Sequence, residues 1–254
     1  MERAFPRPGK FGIGRILVAT AAAICIACAL FALIRLTGAR LIASSGHDSA
    51  GFGQAAGLSR SPAMAPADGK AAVPKGRQVA TLAGGCFWAL QSEFEELRGV
   101  DRVVAGYAGG KTRNPTYEDV CTGMTGHAES IQITFDPKKV SYTDLLRIFL
   151  TDIDPTTKDR QGNDAGTQYR SVIFYHDAAQ QAAARQAIER ITASRLYSDP
   201  IVTEVVPFSG FYPAEAYHQD YFAHNPQQPY CAQVVAPEVS RFRKLNSARL
   251  KPGG

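Results

Sequence analysis

The chain has 254 residues, of which 45% are hydrophobic and 20% charged, as in ordinary soluble globular proteins. The formal net charge of +5 comes from the N-terminal segment, because residues 1–76 carry nine Lys and Arg against three Asp and Glu. Residues 77–254 carry nineteen against twenty, so the larger part of the chain gives no basis for predicting nucleic-acid binding.

The first 42 residues contain a run of nineteen uncharged residues, 16–34. At ~1.5 Å per residue this run just crosses the hydrocarbon core of a bilayer, and the basic residues before it predict a cytoplasmic N-terminus. A cleaved signal peptide stays open as the alternative, with Thr37-Gly38-Ala39 as a cleavage site. Either way we expect export, with the chain anchored on the periplasmic or extracytoplasmic side or secreted to the periplasm.

Residues 43–76 are rich in Gly, Ala, Ser and Pro and have no sustained hydrophobic period, which predicts a disordered linker. Residues 77–250 have the length of one domain, and no internal repeat divides them. We therefore predict three parts: a basic N-terminus with a transmembrane anchor or signal segment (1–42), the linker (43–76) and a folded domain (77–250).

The predicted domain begins with a strand, a glycine turn and a helix. Residues 78–83 are short and apolar with β-branched members, which is typical of a strand. After two glycines, apolar residues recur at helical spacing: Phe87, Leu90, Phe94 and Leu97. Cys86 therefore lies at the start of the first predicted helix.

Further strands are predicted at residues 100–107, 130–135, 171–175 and 202–206, and helices at 142–149, 178–194 and 214–223. Ser141 is a predicted N-cap, and the residues beyond 223 show little pattern. Strands and helices alternate, but one strand follows another directly. We therefore predict an α/β (α+β) fold, a two-layer sandwich with a mixed β-sheet and flanking helices.

The chain has five cysteines. Cys25 and Cys28 lie in the apolar run, where we interpret them as small apolar residues. Three remain, an odd number that indicates a reactive thiol in an exported protein: Cys86, Cys121 and Cys231. A helix start favours the thiolate form of Cys86, although its position alone is equally compatible with a buried, inert cysteine.

Several motifs follow one another in a fixed order: GGCFW (84–88), GYAGG (106–110), NPTYEDVC (114–121), TGHAE (125–129), GNDAGTQYRS (162–171), PF (207–208), HQDY (218–221) and PYC (229–231). With these motifs the chain resembles the peptide methionine sulfoxide reductase A family over residues 78–244. Ala89, Gln91 and Ile153 depart from residues that are frequent in the family, and no second cysteine follows Cys231. The resemblance implies that residues 77–250 are a methionine sulfoxide reductase catalytic domain.

The resemblance implies a role for each residue of the attacking site. Cys86 is the nucleophile, because a thiolate must attack the sulfoxide sulfur. Glu129 is the acid that protonates the oxygen, which requires a carboxyl with a raised pKa. Tyr117 and Tyr169 match tyrosines that hydrogen-bond the sulfoxide oxygen, and Asp164 matches an acid that positions them.

The resemblance also implies how substrate binds and how the enzyme is regenerated. Phe87 and Trp88 match the aromatic wall that receives the S-methyl group. The Cys86 sulfenic acid condenses with Cys231 to a disulfide, which a thioredoxin-like dithiol reduces. Cys121 is interpreted as a bystander or backup, and His218 as a surface or groove residue.

The implied substrates are oxidised proteins and free methionine sulfoxide, of the S epimer, and the implied state is a monomer. No cofactor is expected, and no metal site is predicted, because the five histidines lack ligand spacing. A thiol peroxidase is an alternative, but it needs a thioredoxin-type fold and a positively assisted pocket. A cysteine hydrolase lacks a His–Asn or His–Asp pair beside Cys86, and the retained candidate residues argue against a binding module without activity.

Overall fold

The computed structural model describes residues 73–253. Six strands form one mixed sheet in the order β7-β6-β1-β3-β2-β8, in which only β6 and β7 pair in parallel. They are β1 (Gln78–Ala83), β2 (Val100–Ala108), β3 (Ala128–Phe135), β6 (Val172–Tyr175), β7 (Glu204–Pro207) and β8 (Phe211–Pro213). A separate small hairpin pairs β4 (Arg160–Gln161) with β5 (Asp164–Ala165).

The helices lie between and after these strands. They are α1 (Phe87–Glu95), α2 (Tyr117–Cys121), α3 (Tyr142–Asp152), α4 (Ala178–Ala193), α5 (Tyr221–His224) and α6 (Ala236–Asn246). Short 3₁₀ turns lie at Thr167–Tyr169, Ala216–His218 and Ser247–Arg249, and a π-helical segment at Cys231–Val235 leads directly into α6.

The main core lies between one face of the sheet and the helices α1, α3 and α4. Strand side chains such as Leu82 and Ile133 alternate toward this core and meet Phe94 of α1 and Phe149 of α3. A smaller apolar cluster, which includes Phe174, covers part of the opposite face. This confirms the predicted mixed α/β fold with flanking helices.

Most of the predicted strands and helices are present in the structure at the predicted positions. The strand at residues 78–83 is confirmed, and Ser141 caps α3 by accepting a hydrogen bond from the Asp144 N–H at 3.0 Å. The predicted helix at 214–223 is wrong, because a 3₁₀ turn and the four-residue α5 occupy this stretch. No helix or strand was predicted beyond residue 223, because the sequence there shows little pattern. The structure has the π-helical segment and α6 in this stretch.

The predicted anchor or signal segment and the predicted linker, to residue 72, lie outside the described residues. Within residues 73–253, no helix is long and apolar enough to cross a membrane.

Candidate active site

Cys86 lies at the junction of β1 and α1, where it is the N-cap residue of the helix. Gly85 precedes it with φ +96°, and a Cβ at this position would lie 2.7 Å from Cγ of Gln161. The turn from strand to helix therefore requires glycine. It leaves the Cys86 side chain half-buried at the first turn of the helix.

The protonation state of Cys86 differs from the expectation drawn from its helix position. Burial raises the pKa of the Cys86 thiol well above its usual value, and the Glu129 carboxylate adds to the effect. The N–H of Trp88 and the hydroxyl of Tyr230 lower this pKa, but by less. The expected thiolate is therefore wrong for the resting site, because the loss of hydration outweighs the helix terminus.

Glu129 lies in β3 beside Cys86 and is 2% exposed. Burial raises its pKa to about 8, although the Phe87 N–H donates to its Oε2 at 3.1 Å and lowers the pKa. The Asp164 charge raises it further. At neutral pH most of the Glu129 carboxyl is therefore protonated, so that it can donate a proton to a group in the site.

Two tyrosines supply further donors near the thiol. Burial raises the pKa of Tyr117 and of Tyr169, and ionisation of Glu129 or Cys86 raises both further. Both hydroxyls therefore stay protonated and can donate hydrogen bonds. Tyr117 is the first residue of α2, whose start is fixed by a capping box between Thr116 and Asp119.

Tyr230, a residue that the sequence analysis missed, links Asp164 to the active site. The hydroxyl of Tyr230 donates a hydrogen bond to the Asp164 carboxylate and also acts on the Cys86 thiol, whose pKa it lowers. Burial raises the pKa of Asp164, and this hydrogen bond lowers it. Tyr230 directly precedes Cys231 in the last motif, which is the signal that could have identified it.

An aromatic cluster, formed by Phe87, Trp88, Tyr117, His218 and Tyr221, stands next to the thiol. The rings of Trp88 and Tyr221 are stacked with centroids 3.9 Å apart. Phe87 is 1% exposed, whereas Trp88 is half-buried. Trp88 therefore presents an accessible aromatic wall, and Phe87 forms the buried floor beneath it.

His218 is 2% exposed, which excludes the surface alternative and leaves it as a buried member of the aromatic cluster. The indole N–H of Trp88 donates to its Nδ1 at 3.1 Å, which leaves the proton of the neutral ring on Nε2. Burial lowers the pKa of His218 to about 4, and Nε2 lies 3.9 Å from the Glu215 carboxylate. His218 is therefore neutral at pH 7, with its tautomer fixed by Trp88.

Glu215 is a second residue that the sequence analysis missed. Its carboxylate accepts hydrogen bonds of 2.9 Å from the Tyr107 hydroxyl and from the backbone N–H of Tyr117. These bonds tie the start of α2 to the strand β2. Glu215 thereby fixes the position of Tyr117.

Cys231 is fully buried in the π-helical segment, and burial raises the pKa of its thiol. Val235 of that segment and Val239 of α6 pack against Ala89 of α1. Cys86 and Cys231 are both free thiols in this structure. Although the sequence beyond residue 223 shows little pattern, the segment that carries Cys231 is therefore helical and packed.

The other half-buried cysteine, Cys121, is the last residue of α2 and lies near the Tyr117 and Tyr169 side chains.

The departure at Gln91 has a structural role. This buried side chain donates to the Val103 carbonyl at 3.2 Å and accepts from the Asp220 N–H at 3.0 Å, which links α1 to the C-terminal segment.

A half-buried cysteine at a helix start, beside a protonated carboxyl and neutral hydroxyl donors, is the arrangement of an enzyme with a cysteine nucleophile. Within residues 73–253, no group of three or more His, Cys, Asp or Glu side chains is placed to hold a metal ion. The class of protein is thus a thiol-dependent enzyme with proton and hydrogen-bond donors beside its cysteine and an aromatic wall next to them.

Comparison with known proteins gives the family. The family model of peptide methionine sulfoxide reductase matches residues 78–250. The peptide methionine sulfoxide reductase MsrA of Thermus thermophilus is 51% identical over 175 residues, which cover 69% of this chain and 98% of that protein. The corresponding MsrA of Granulibacter bethesdensis is 52% identical over 167 residues, which cover 66% and 90%.

Solved structures of methionine sulfoxide reductases are also similar to this chain. Mxr1 from Saccharomyces cerevisiae in its reduced form superposes with a TM-score of 0.59 at 34% identity, covering 62% of this chain and 91% of that one. Methionine sulfoxide reductase A of Corynebacterium diphtheriae gives 0.56 at 36% identity, covering 61% and 77%. The chain belongs to the peptide methionine sulfoxide reductase family. It is an oxidoreductase that uses thiols to reduce methionine sulfoxide, a reaction that repairs oxidised methionine.

Proposed function

We propose that Cys86 attacks the sulfur of methionine sulfoxide while Glu129 donates a proton to the oxygen. The oxygen passes to Cys86, so that the sulfoxide is reduced to methionine and the thiol is oxidised to a sulfenic acid. The thiol proton replaces the one that Glu129 gives up. The observation that carries this assignment is the burial of Glu129, with a pKa raised to about 8, against the first turn of the helix that begins at Cys86.

The tyrosines and the aromatic wall orient the substrate in this proposal. Tyr117 and Tyr169 donate hydrogen bonds to the sulfoxide oxygen, and both are held protonated by burial. Asp164, bonded to Tyr230, positions this network. The S-methyl group packs against Trp88 above the buried Phe87 ring, since both present apolar surface beside Cys86.

Regeneration follows through Cys231. Its thiol attacks the Cys86 sulfenic acid, a disulfide forms and water leaves. Tyr230, which contacts the Cys86 sulfur, is the residue next to Cys231, so that the two cysteines belong to neighbouring parts of the site. A thioredoxin-like dithiol then reduces the disulfide by thiol exchange.

The test is turnover of the two sulfoxide epimers, supplied separately as free and peptide-bound methionine sulfoxide. The full chain is assayed with dithiothreitol beside Cys86→Ser. We expect reduction of the S epimer alone and no methionine from the variant. Activity that survives in Cys86→Ser would refute the assignment of the nucleophile, and equal rates on both epimers would refute the stereochemical preference.

We also propose that residues 16–34 export the chain, with residues 43–76 as the linker and residues 77–250 as a monomeric catalytic domain outside the cytoplasm. The nineteen uncharged residues and the basic residues before them support this proposal. Membrane fractionation together with N-terminal sequencing of the mature protein tests it. A full-length N-terminus in the soluble cytoplasmic fraction would overturn the proposal, while a new N-terminus near Ala39 would favour the cleaved signal over the anchor.

A further inference from the structure

The loop after α2 carries an unusual side chain, Met124. It is 85% exposed, more than any other large hydrophobic residue in the described part of the chain, whereas Leu245 reaches 62%. It is also the only methionine within residues 73–253. The core of this domain therefore contains no thioether, and the one methionine it has stands in solvent. Oxidation of methionine to its sulfoxide proceeds most readily where the sulfur is exposed.

The backbone around Met124 is held in place although its side chain is not covered. The Gly123 carbonyl accepts from Thr167 Oγ1 and the Gly126 carbonyl accepts from Arg170 Nη2, each at 3.0 Å. The N–H of Met124 itself donates to Thr122 Oγ1 at 3.2 Å. These bonds anchor the loop to the turn that carries Tyr169. Met124 is thus presented outward on a loop whose backbone is tied to the turn that carries Tyr169.

The residues beside Met124 suit entry into a second active site. Gly123, Thr125 and Gly126 are small and uncharged, so that they present little bulk to an approaching enzyme molecule. Gly123 and Gly126 both have positive φ, +73° and +75°, so that the backbone turns on either side of Met124. The exposed thioether therefore lies at the tip of a narrow loop.

We propose that Met124 is a methionine that this enzyme repairs on other copies of itself. A peroxide oxidises the Met124 thioether to the sulfoxide and is itself reduced to water or an alcohol. Cys86 of a second copy takes the oxygen and becomes a sulfenic acid, and Met124 returns to the thioether. Cys231 of that copy then condenses with the sulfenic acid to a disulfide with release of water, and a dithiol reduces the disulfide by thiol exchange. This inference rests on the function proposed above, since it uses the same site on a substrate that the protein carries.

The test uses the full chain with Cys86→Ser as the substrate, because this variant cannot repair itself. It is oxidised with hydrogen peroxide, freed of peroxide and incubated with dithiothreitol and a small amount of wild-type chain. Mass spectrometry of the tryptic peptide 114–138, whose only methionine is Met124, then reports the sulfoxide. We expect about half of the sulfoxide to disappear, because peroxide makes both sulfur epimers and a reductase of this kind reduces one of them.

Two controls separate the inference from the proposed function. With additional Cys86→Ser in place of wild type, the sulfoxide should persist, and Met124→Leu should reduce free methionine sulfoxide at the wild-type rate. If the wild type reduces free methionine sulfoxide in the same tube but leaves Met124 oxidised, the inference fails and the function stands. If it reduces neither, both fail. Resistance of Met124 to peroxide that oxidises free methionine would also overturn the inference.

Discussion

The attacking and resolving sides of the active site differ in how far each is assembled before substrate arrives. On the attacking side, Cys86, Glu129 and Tyr117 are fixed by the first turns of two helices and by hydrogen bonds to backbone N–H groups. On the resolving side, Cys231 is fully buried within a packed helical segment. The first chemical step therefore needs little rearrangement, whereas disulfide formation requires Cys231 to leave its packing.

This comparison explains why two thiols with raised pKa values can serve one cycle. Burial keeps Cys86 protonated until a substrate oxygen can take up a proton, and burial shields Cys231 until Cys86 is oxidised. Both thiols are thus protected from chance oxidation in the resting enzyme. Each of the following changes acts mainly on one of the two sides.

The largest expected effect is that of Cys231→Ser. The variant should release one methionine per chain and then stop when a thioredoxin is the only reductant, because no disulfide can form. A rapid-quench count of methionine per enzyme measures this. Cys121→Ser is the matched control and should continue to turn over. Repeated turnover of Cys231→Ser with thioredoxin would mean that another thiol resolves Cys86.

Glu129→Gln acts on the attacking side. The amide still accepts the Phe87 N–H but cannot donate an acidic proton, so we expect turnover to fall by about 10²- to 10⁴-fold. Wild-type turnover needs the protonated carboxyl, whose pKa is raised to about 8, and should therefore decline as the pH rises through that value. The variant should lose this decline.

The control for this change is Glu189→Gln, at an exposed position on α4, which should leave the rate and the pH profile of turnover unchanged. A wild-type rate in Glu129→Gln would exclude Glu129 as the acid. An unchanged decline near pH 8 in the variant would assign that titration to another group.

Val239→Ala should act on the resolving side in the opposite sense, by accelerating a step. Loss of two buried methyl groups removes about 2 kcal/mol of packing between α6 and α1 and makes opening of the Cys231 segment easier. We expect disulfide formation after a single turnover to become up to about tenfold faster, measured by acid quench and thiol counting.

The matched control is Val103→Ala, a similarly buried valine in β2 that lies outside this packing cluster. It should lower the free energy of unfolding without changing the rate of disulfide formation. Equal rates in Val239→Ala and wild type would show that opening of the segment does not limit the resolving step.

The smallest expected effect is that of Tyr230→Phe, which removes the hydroxyl that contacts Cys86 and Asp164. This hydroxyl lowers the pKa of Cys86, so its loss should move the alkylation of Cys86 by iodoacetamide to higher pH. A lost hydrogen bond of ~0.5–1.5 kcal/mol corresponds to a decrease of about 2- to 10-fold in alkylation rate at fixed pH. An identical pH profile would show that the contact does not influence the thiol.

The sequence predicted the elements with a clear hydrophobic period and missed those without one. β1, α3 and α4 have apolar faces or caps that are visible in the sequence. The helix α2 was missed because five residues are too few to show a period, although Thr116 and Asp119 form its capping box. The apolar side chains of α6, Val239 and Phe242, alternate with many polar residues, which concealed the helix.

The active site was predictable to the extent that its members lie in the ordered motifs. Cys86 and Glu129 were identified in this way, and the structure places them side by side. The contact of Tyr230 with Asp164 joins residues 66 positions apart, and no local pattern encodes it. The thiol state of Cys86 also escaped prediction, because burial by distant residues cannot be deduced from a helix start alone.

Trp88 is the only tryptophan of the chain, and it is stacked on Tyr221 and hydrogen-bonded to His218. All tryptophan fluorescence of this protein therefore originates next to the reacting sulfur. Because Tyr221 and Tyr230, which touches the indole edge-on, belong to the C-terminal segment that must move, the emission spectrum should differ between the reduced and disulfide forms. The protein thus contains its own optical reporter of the catalytic cycle, and no dye is needed to time its steps.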